Sequence, residues 1–241
     1  MNIAIDVGNT FVKLGVFEGN TLRESFEGLS PELALAKSLA IRPAHAIVSS
    51  VGAPVQVWQE ALQAIATQVY TLNHTTPLPL INHYETPETL GTDRIAAAVG
   101  AQTLYPEENC LVIDMGTCIT YDFVDRDHHY WGGSISPGLR MRLMAMHTFT
   151  SRLPLLELNE ATTDLIGRNT TQAMRSGAIY GMAAELDGII ESYLQRVGTL
   201  RVIACGGDAP YFERRIKASI FVVSELVIFG LNRILQYNLS L

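Results

Sequence analysis

Cysteine is scarce in this chain, and positive charge is outweighed. Only Cys110, Cys118 and Cys205 occur, each within or beside an apolar strand-like run. They form no C-x-x-C pair and show no zinc spacing, so neither a disulfide framework nor a zinc site is expected. An odd, sparse set reads as reduced, buried thiols in a cytoplasmic protein. Lysine and arginine number 17 against 24 aspartates and glutamates, a formal charge of −7. That balance leaves no electrostatic footprint for nucleic acid or an anionic membrane surface, and neither is expected as a partner. No run of about 18 apolar residues is present, so no transmembrane helix is expected. The first residues enter a strand-like run with no charged segment before it, so no secretory leader is expected either. Apolar residues, by contrast, make up 48% of the 241. That excludes disorder and supplies a full core, in one large domain or two small ones.

The most informative feature is a turn that occurs twice. Ile3-Ala4-Ile5-Asp6-Val7-Gly8-Asn9-Thr10 and Leu111-Val112-Ile113-Asp114-Met115-Gly116-Thr117-Cys118 are each an apolar run ending in Asp-x-Gly. Around each copy the pattern predicts a three-strand meander. The first is Asn2–Val7, Phe11–Glu18 and Thr21–Glu27; the second is Asn109–Asp114, Cys118–Asp125 and His129–Ser134. The first meander leads into helix Pro31–Ala40, strand Ala44–Ser50, helix Pro54–Thr67 and a short strand at 69–72, a βββαβαβ order. The periodicity then vanishes from 73 to 92, where Pro77, Pro79 and Pro87 punctuate the chain. Asp93–Leu104 is Ala-rich and helical. After the second meander come helices Pro137–Met146 and Thr170–Arg196, strand Leu200–Ala204, helix Pro210–Lys217, strand Ser219–Val223 and helix Glu225–Leu239. The expected fold class is α/β. It comprises two ribonuclease-H-like domains, 1–107 and 108–241, with an active-site cleft between them. This is the architecture of the actin, Hsp70 and sugar-kinase superfamily.

Four segments carry chemistry. In Asp6-Val7-Gly8-Asn9-Thr10-Phe11-Val12-Lys13, Gly8 admits a close backbone approach, and Asn9, Thr10 and the turn amides can donate to phosphate. Lys13 offers a point charge, and Asp6 can hold Mg²⁺ through water. An ordinary hairpin with an Asx turn would read the same way, but the second copy, with Asp114 and Thr117, makes accident less plausible. Two carboxylates near a polyphosphate require cations to offset their repulsion. In Ala204-Cys205-Gly206-Gly207-Asp208, a glycine pair between strand and helix lets a flat ring lie on backbone, although Gly-Gly is common in turns. In Gly91-Thr92-Asp93-Arg94, Asp93 has the form of an N-cap carboxylate. It also has the form of a general base beside an anion clamp, Arg94. A solvated helical arginine is the plain alternative for Arg94. Arg140, Arg142, His147, Arg152 and Arg168 read as a solvated basic face. Gly132-Gly133 and Pro137-Gly138 read mainly as corner-shaping residues.

Taken together, these segments resemble the type III pantothenate kinases over nearly the whole chain. The resemblance rests on D-x-G-N-T-x-x-K-x-G (Asp6 to Gly15), G-x-D-R (Gly91 to Arg94) and D-x-G-T-x-x-T (Asp114 to Thr120). It also rests on G-x-I-x-P-G (Gly133 to Gly138), Arg152-Leu153-Pro154, G-x-N-T (Gly167 to Thr170) and Gly206-Gly207-Asp208. Cys118 stands where such kinases commonly have alanine. The resemblance implies ATP-dependent phosphorylation of pantothenate to 4′-phosphopantothenate, the first step of coenzyme A synthesis, by a homodimer. It implies Asp93 as proton acceptor and Gly91, Thr92 and Arg94 as the pantothenate-binding turn. Tyr84 is implied as a substrate contact. So is Thr170, near a dimer interface, with Thr171 equally allowed by spacing. Asp6 to Lys13 and Thr117 fall on ATP-binding positions, with Gly206 and Gly207 at the adenosine. Asp114 falls on the ligand of a monovalent cation, potassium or ammonium, and Mg²⁺ is expected near Asp6. Two other readings remain: a kinase of the same superfamily with another small hydroxyl substrate, and a nucleotide-dependent regulatory switch. The G-x-D-R turn argues against the switch, which has no use for a substrate base.

Overall fold

The computed structural model describes residues 1–51, 54–157 and 164–241. The antiparallel meander expected at the N-terminus is formed by β1 (Asn2–Val7), β2 (Val12–Glu18) and β3 (Thr21–Leu29). All six residues of β1 are buried. Burial of every residue, without alternation, marks a strand covered on both faces, and it takes in the polar Asn2 and Asp6 as well as the apolar four. Helix α1 (Pro31–Ile41) starts where Ser30 accepts the Leu33 N–H and Pro31 presets the first turn. Next come β4 (His45–Ser50), parallel to β1, then α2 (Gln56–Gln63), then β5 (Gln68–Thr71), parallel to β4. The resulting sheet has the order β3-β2-β1-β4-β5. The α2 helix is shorter than its pattern predicts. Its last turn tightens, with the amides of Ile65 and Ala66 both donating to the Leu62 carbonyl.

The irregular connection is not featureless. It contains β6 (Ile81–Asn82), parallel to His129–Tyr130, and a 3₁₀ turn at Pro87–Thr89. A strand of two residues has no period for a sequence pattern to display. Helix α3 (Thr92–Leu104) follows. The second meander is β7 (Cys110–Met115), β8 (Cys118–Val124) and β9 (His129–Pro137). Beyond it lie α4 (Leu139–Thr148), α5 (Thr170–Val197), β10 (Arg201–Cys205), α6 (Ala209–Glu213), β11 (Phe221–Val222) and α7 (Leu226–Leu239). Pro137 belongs to the end of β9, not to the helix after it, and α5 runs as one helix past Gly177 and Gly181. The second sheet has the order β11-β10-β7-β8-β9-β6. Read from β9, its strands β9-β8-β7-β10-β11 repeat the order of the first sheet, with β6 added outside β9. Among the described residues no helix is long and apolar enough to cross a membrane.

The chain divides into two compact units. One comprises Met1–Cys110, Asp122–Gly132 and Glu225–Leu241; the other comprises Leu111–Tyr121 and Gly133–Ser224. The first unit has a core of Ile3, Ile5, Leu14, Ala46, Val48, Trp58 and Leu62. The second has a core of Leu111, Ile113, Tyr121, Met182, Leu186 and Phe212. Within the first unit, α3 packs on α7. The two backbones meet closely because both helices carry glycine there. A Cβ on Gly230 would strike the Ala96 carbonyl, and one on Gly100 would strike the Leu226 carbonyl. Backbone atoms cannot give way as a side-chain end can. Gly100→Ala is therefore expected to destabilise the fold by about 1–3 kcal/mol through overpacking, despite alanine's better helix propensity. A urea midpoint equal to or above that of the parent protein would contradict this packing.

Candidate active site

In the first unit, β1 delivers Asp6 to the start of a tight turn. The Gly8 N–H donates to the Phe11 carbonyl at 3.1 Å and closes it. Asn9, Thr10 and Phe11 are exposed at its tip. Val7 to Val12, with Pro31, line a pocket of about 370 Å³. Lys13 lies opposite Asp6 on β2, its Nζ 3.1 Å from Glu27 Oε1. That ion pair is half exposed and worth only about 0–1 kcal/mol, so an arriving phosphate could displace Glu27 at little cost. On the other side of Asp6, in the parallel pairing, stands Ser49. The Ser49 and Thr92 hydroxyls lie 2.9 Å apart. The Asp-x-Gly turn and the Gly-Thr-Asp-Arg turn, which the sequence keeps far apart, are thus joined through β4. Ser49 was not singled out from sequence; the signal available was a Ser-Ser pair closing a buried apolar strand.

Helix α3 begins at Thr92 with Gly91 as its cap, so Asp93 sits inside the first turn and is not the cap residue. Gly91 leaves room for it: a Cβ there would lie 2.5 Å from Asp93 Oδ1. The Arg94 N–H donates to the same oxygen at 2.8 Å. Burial above all pushes the Asp93 carboxyl up. The nearby Asp122 charge adds to that shift, and the Arg94 N–H and guanidinium only partly oppose it. Arg94 is not a solvated helical arginine; it is 6% exposed. Its Nε lies 3.1 and 3.2 Å from the two Asp122 carboxylate oxygens, and Nη2 lies 2.7 Å from Oδ1. Burial alone would lower the Arg94 pKa, but hydrogen bonds and charge from Asp122 raise it. Tyr130 donates its hydroxyl to Asp122 Oδ1 at 2.6 Å. The Arg94 guanidinium lies 5.6 Å from the Tyr84 ring centre. Gly132, at φ +84°, lets that ring rest on the β9 backbone, since a Cβ would lie 2.9 Å from Tyr84 Cδ2. Asp122 and Tyr130 escape a sequence reading because an Asp in an alternating strand reads as an outward-facing residue.

In the second unit, the Gly116 N–H donates to the Cys118 carbonyl at 2.9 Å, the counterpart of the Gly8 bond. Two further turns pack against it. The Gly138 N–H donates to the Thr117 carbonyl at 3.1 Å, and the Asp208 N–H to the Met115 carbonyl at 3.0 Å. A Cβ on Gly138 would lie 2.6 Å from the Thr117 carbonyl oxygen. Gly206 has φ +86°, and a Cβ there would strike Asp114 Oδ1. Only glycine fits that backbone and that proximity. Asp114, Thr117, Gly206 and Gly207 are therefore one local assembly. Burial pushes the neighbouring Asp208 carboxyl up. Thr170, exposed, opens α5, where the Asn169 side chain accepts the Gln172 N–H. Arg142 departs from the solvated basic face expected of it. It is partly buried, with Nη2 2.5 Å from Glu185 Oε2 and Nε donating to the Pro137 carbonyl. Arg142 thus clamps α4 and the end of β9 to α5.

Chemically, the first unit offers a pocket of about 370 Å³ at an exposed glycine turn, a carboxylate made more basic by burial, and a rigidly held guanidinium. The second offers a carboxylate set against a glycine turn. No group of three or more His, Cys, Asp or Glu able to hold a metal occurs among the described residues. Asp6 and Asp114 are single hard-oxygen donors. They fit cations that keep water and phosphate oxygens in their shells, as Mg²⁺ does beside a nucleotide, and they do not form an all-protein cage.

Comparison with known proteins gives the family. A type III pantothenate kinase from Cytophaga hutchinsonii is 45% identical over 240 residues, covering 99% of this chain and 100% of that one. A conserved Baf family protein from Campylobacter jejuni, named as a transcriptional activator, shares the fold with a TM-score of 0.63 at 20% identity, covering 99% of this chain and 100% of that one. The activator of 2-hydroxyisocaproyl-CoA dehydratase from Clostridium difficile, with ADPNP bound in that structure, has a TM-score of 0.56 at 14% identity and covers 100% of this chain and 97% of that one. The sequence pattern of type III pantothenate kinase matches residues 2–192, which takes in both Asp-x-Gly turns and the Gly-Thr-Asp-Arg turn. With that match and a full-length relative, this chain belongs to the type III pantothenate kinase family.

Proposed function

We propose that this chain transfers the γ-phosphoryl group of ATP to the 4′-hydroxyl of pantothenate, giving ADP and 4′-phosphopantothenate at the entry to coenzyme A synthesis. The observation that carries the reading is Asp93, a carboxylate made more basic by burial, next to Arg94 at the start of α3. The hydroxyl oxygen bonds to the γ-phosphorus as the bond to the β,γ-bridging oxygen breaks, and Asp93 takes the hydroxyl proton. Phosphoryl transfer asks little covalent chemistry of the protein beyond positioning and charge stabilisation. Asn9, Thr10 and Lys13, with the amides of the Gly8 turn, bind phosphate oxygens. Thr117 donates to phosphate, and Gly206 and Gly207 lie under the adenosine. Tyr84, Gly91, Thr92 and Arg94 bind pantothenate, with Thr170 of a second copy in a homodimer. Asp6 would hold Mg²⁺ through water, and the ion would supply charge neutralisation for the nucleotide phosphates. Asp114 would hold potassium or ammonium. The two halves, 1–107 and 108–241, are read as duplicated ribonuclease-H-like domains. Support comes from the repeated strand order β3-β2-β1-β4-β5 and β9-β8-β7-β10-β11. A cytoplasmic location without nucleic acid or membrane partners accords with the net charge of −7.

The test is ADP release from ATP and Mg²⁺, with and without pantothenate, in potassium and then in sodium. Pantothenate-dependent release that falls when sodium replaces potassium is expected. ATP binding without pantothenate-stimulated release would instead mark a nucleotide-dependent switch.

A further inference from the structure

Asp122 collects three donors deep in the first unit. It is fully buried, and both nitrogens of one edge of Arg94 and the hydroxyl of Tyr130 end on its carboxylate. A buried ion pair is a costly way to fill space, and an apolar pair of similar volume is often as stable or more so. The arrangement therefore calls for a reason beyond stability.

The geometry supplies one. Asp122 takes the side edge of the guanidinium, Nε and Nη2. The end edge, made of Nη1 and the second Nη2 hydrogen, has among the described residues only the Tyr84 side chain within hydrogen-bonding reach of the guanidinium besides Asp122, and it is a planar fork of the kind that fits a carboxylate bidentately. A free arginine would sweep through many rotamers, whereas this one is fixed in plane by Asp122, with the Tyr84 ring beside it. The Arg94–Asp122 pair is also close to neutral as a unit, so an anion gains little from approaching it at long range. It gains only when its two oxygens meet the fork.

Resting on the pantothenate kinase reading above, we propose that Asp122 is the positioning residue of the substrate site, holding Arg94 edge-on so that the enzyme selects acceptors bearing a planar carboxylate. Tyr130 assists by keeping the Asp122 carboxylate in register.

The experiment compares kcat/KM for pantothenate with that for pantothenol, in which a hydroxymethyl group replaces the carboxylate. In the parent enzyme the ratio favours pantothenate. In Asp122→Asn the ratio is expected to fall about tenfold or more, the worth of one well-directed charged hydrogen bond. In Tyr130→Phe, which keeps the ion pair, a fall of about threefold is expected from loss of a neutral hydroxyl donor. General loosening of the fold would lower both rates together and leave the ratio unmoved. Tyr130→Phe keeps the question answerable if Asp122→Asn does not fold. An unchanged ratio in an active, folded variant would overturn the role of Asp122 while leaving the kinase reading intact. A parent enzyme that phosphorylates neither compound would overturn the kinase reading, and this inference with it.

Discussion

Asp93→Asn is expected to lower kcat by about 10²-fold or more, the usual contribution of a positioned general base. The substitution keeps the shape of the side chain and an oxygen for the Arg94 N–H, so α3 should form as before. What it removes is the site that receives the hydroxyl proton. Steady-state ADP release at saturating ATP and pantothenate measures the effect, and turnover near the parent value would sink the assignment. The parent enzyme offers a companion check through pH. A base works only when deprotonated, and burial pushes the Asp93 carboxyl up. Protonation therefore begins at a higher pH than for an ordinary aspartate. The acid limb of kcat/KM should accordingly lie above the ordinary aspartate range, and it should be absent from what activity Asp93→Asn retains.

The second large effect is on stability. Arg94→Leu leaves the fully buried Asp122 charge without its partner and is expected to cost about 3–5 kcal/mol of folding free energy. The double substitution Arg94→Leu with Asp122→Leu removes both charges and should recover much of that loss, because contacting residues do not act additively. Urea unfolding of the parent, the two single variants and the double variant closes the cycle. A double variant as unstable as the sum of the singles would mean that the pair is not coupled as the distances of 2.7 to 3.2 Å imply. The double variant should also lose discrimination between pantothenate and pantothenol, so its recovered stability would not bring back recognition.

Much of the fold is legible in the chain itself. Both meanders, the helix after Gly91 and the long helix from Thr170 follow from runs long enough to show a period. The exceptions have local causes. β6 and the 3₁₀ turn hide in the proline-rich connection because two or three residues carry no periodicity. α2 ends early because its last turn closes tightly on Leu62, and the cap of α3 is Gly91 because Asp93 needs the space a side chain at Gly91 would fill. Arg94 and Arg142 were open to reading as solvated because local pattern says nothing about a partner 28 or 43 residues away.

The amino-acid sequence by itself determined the two Asp-x-Gly turns, the Gly-Thr-Asp-Arg turn and the family they belong to. These depend on residue type and short spacing, which the chain states directly. The tertiary structure alone decided that Ser49 links Asp6 to Thr92, that Gly206 packs on Asp114, and that Asp122 and Tyr130 hold Arg94 in one plane. Those pairings are fixed by strand order and by the need to neutralise a buried charge, and no short stretch of sequence contains both partners.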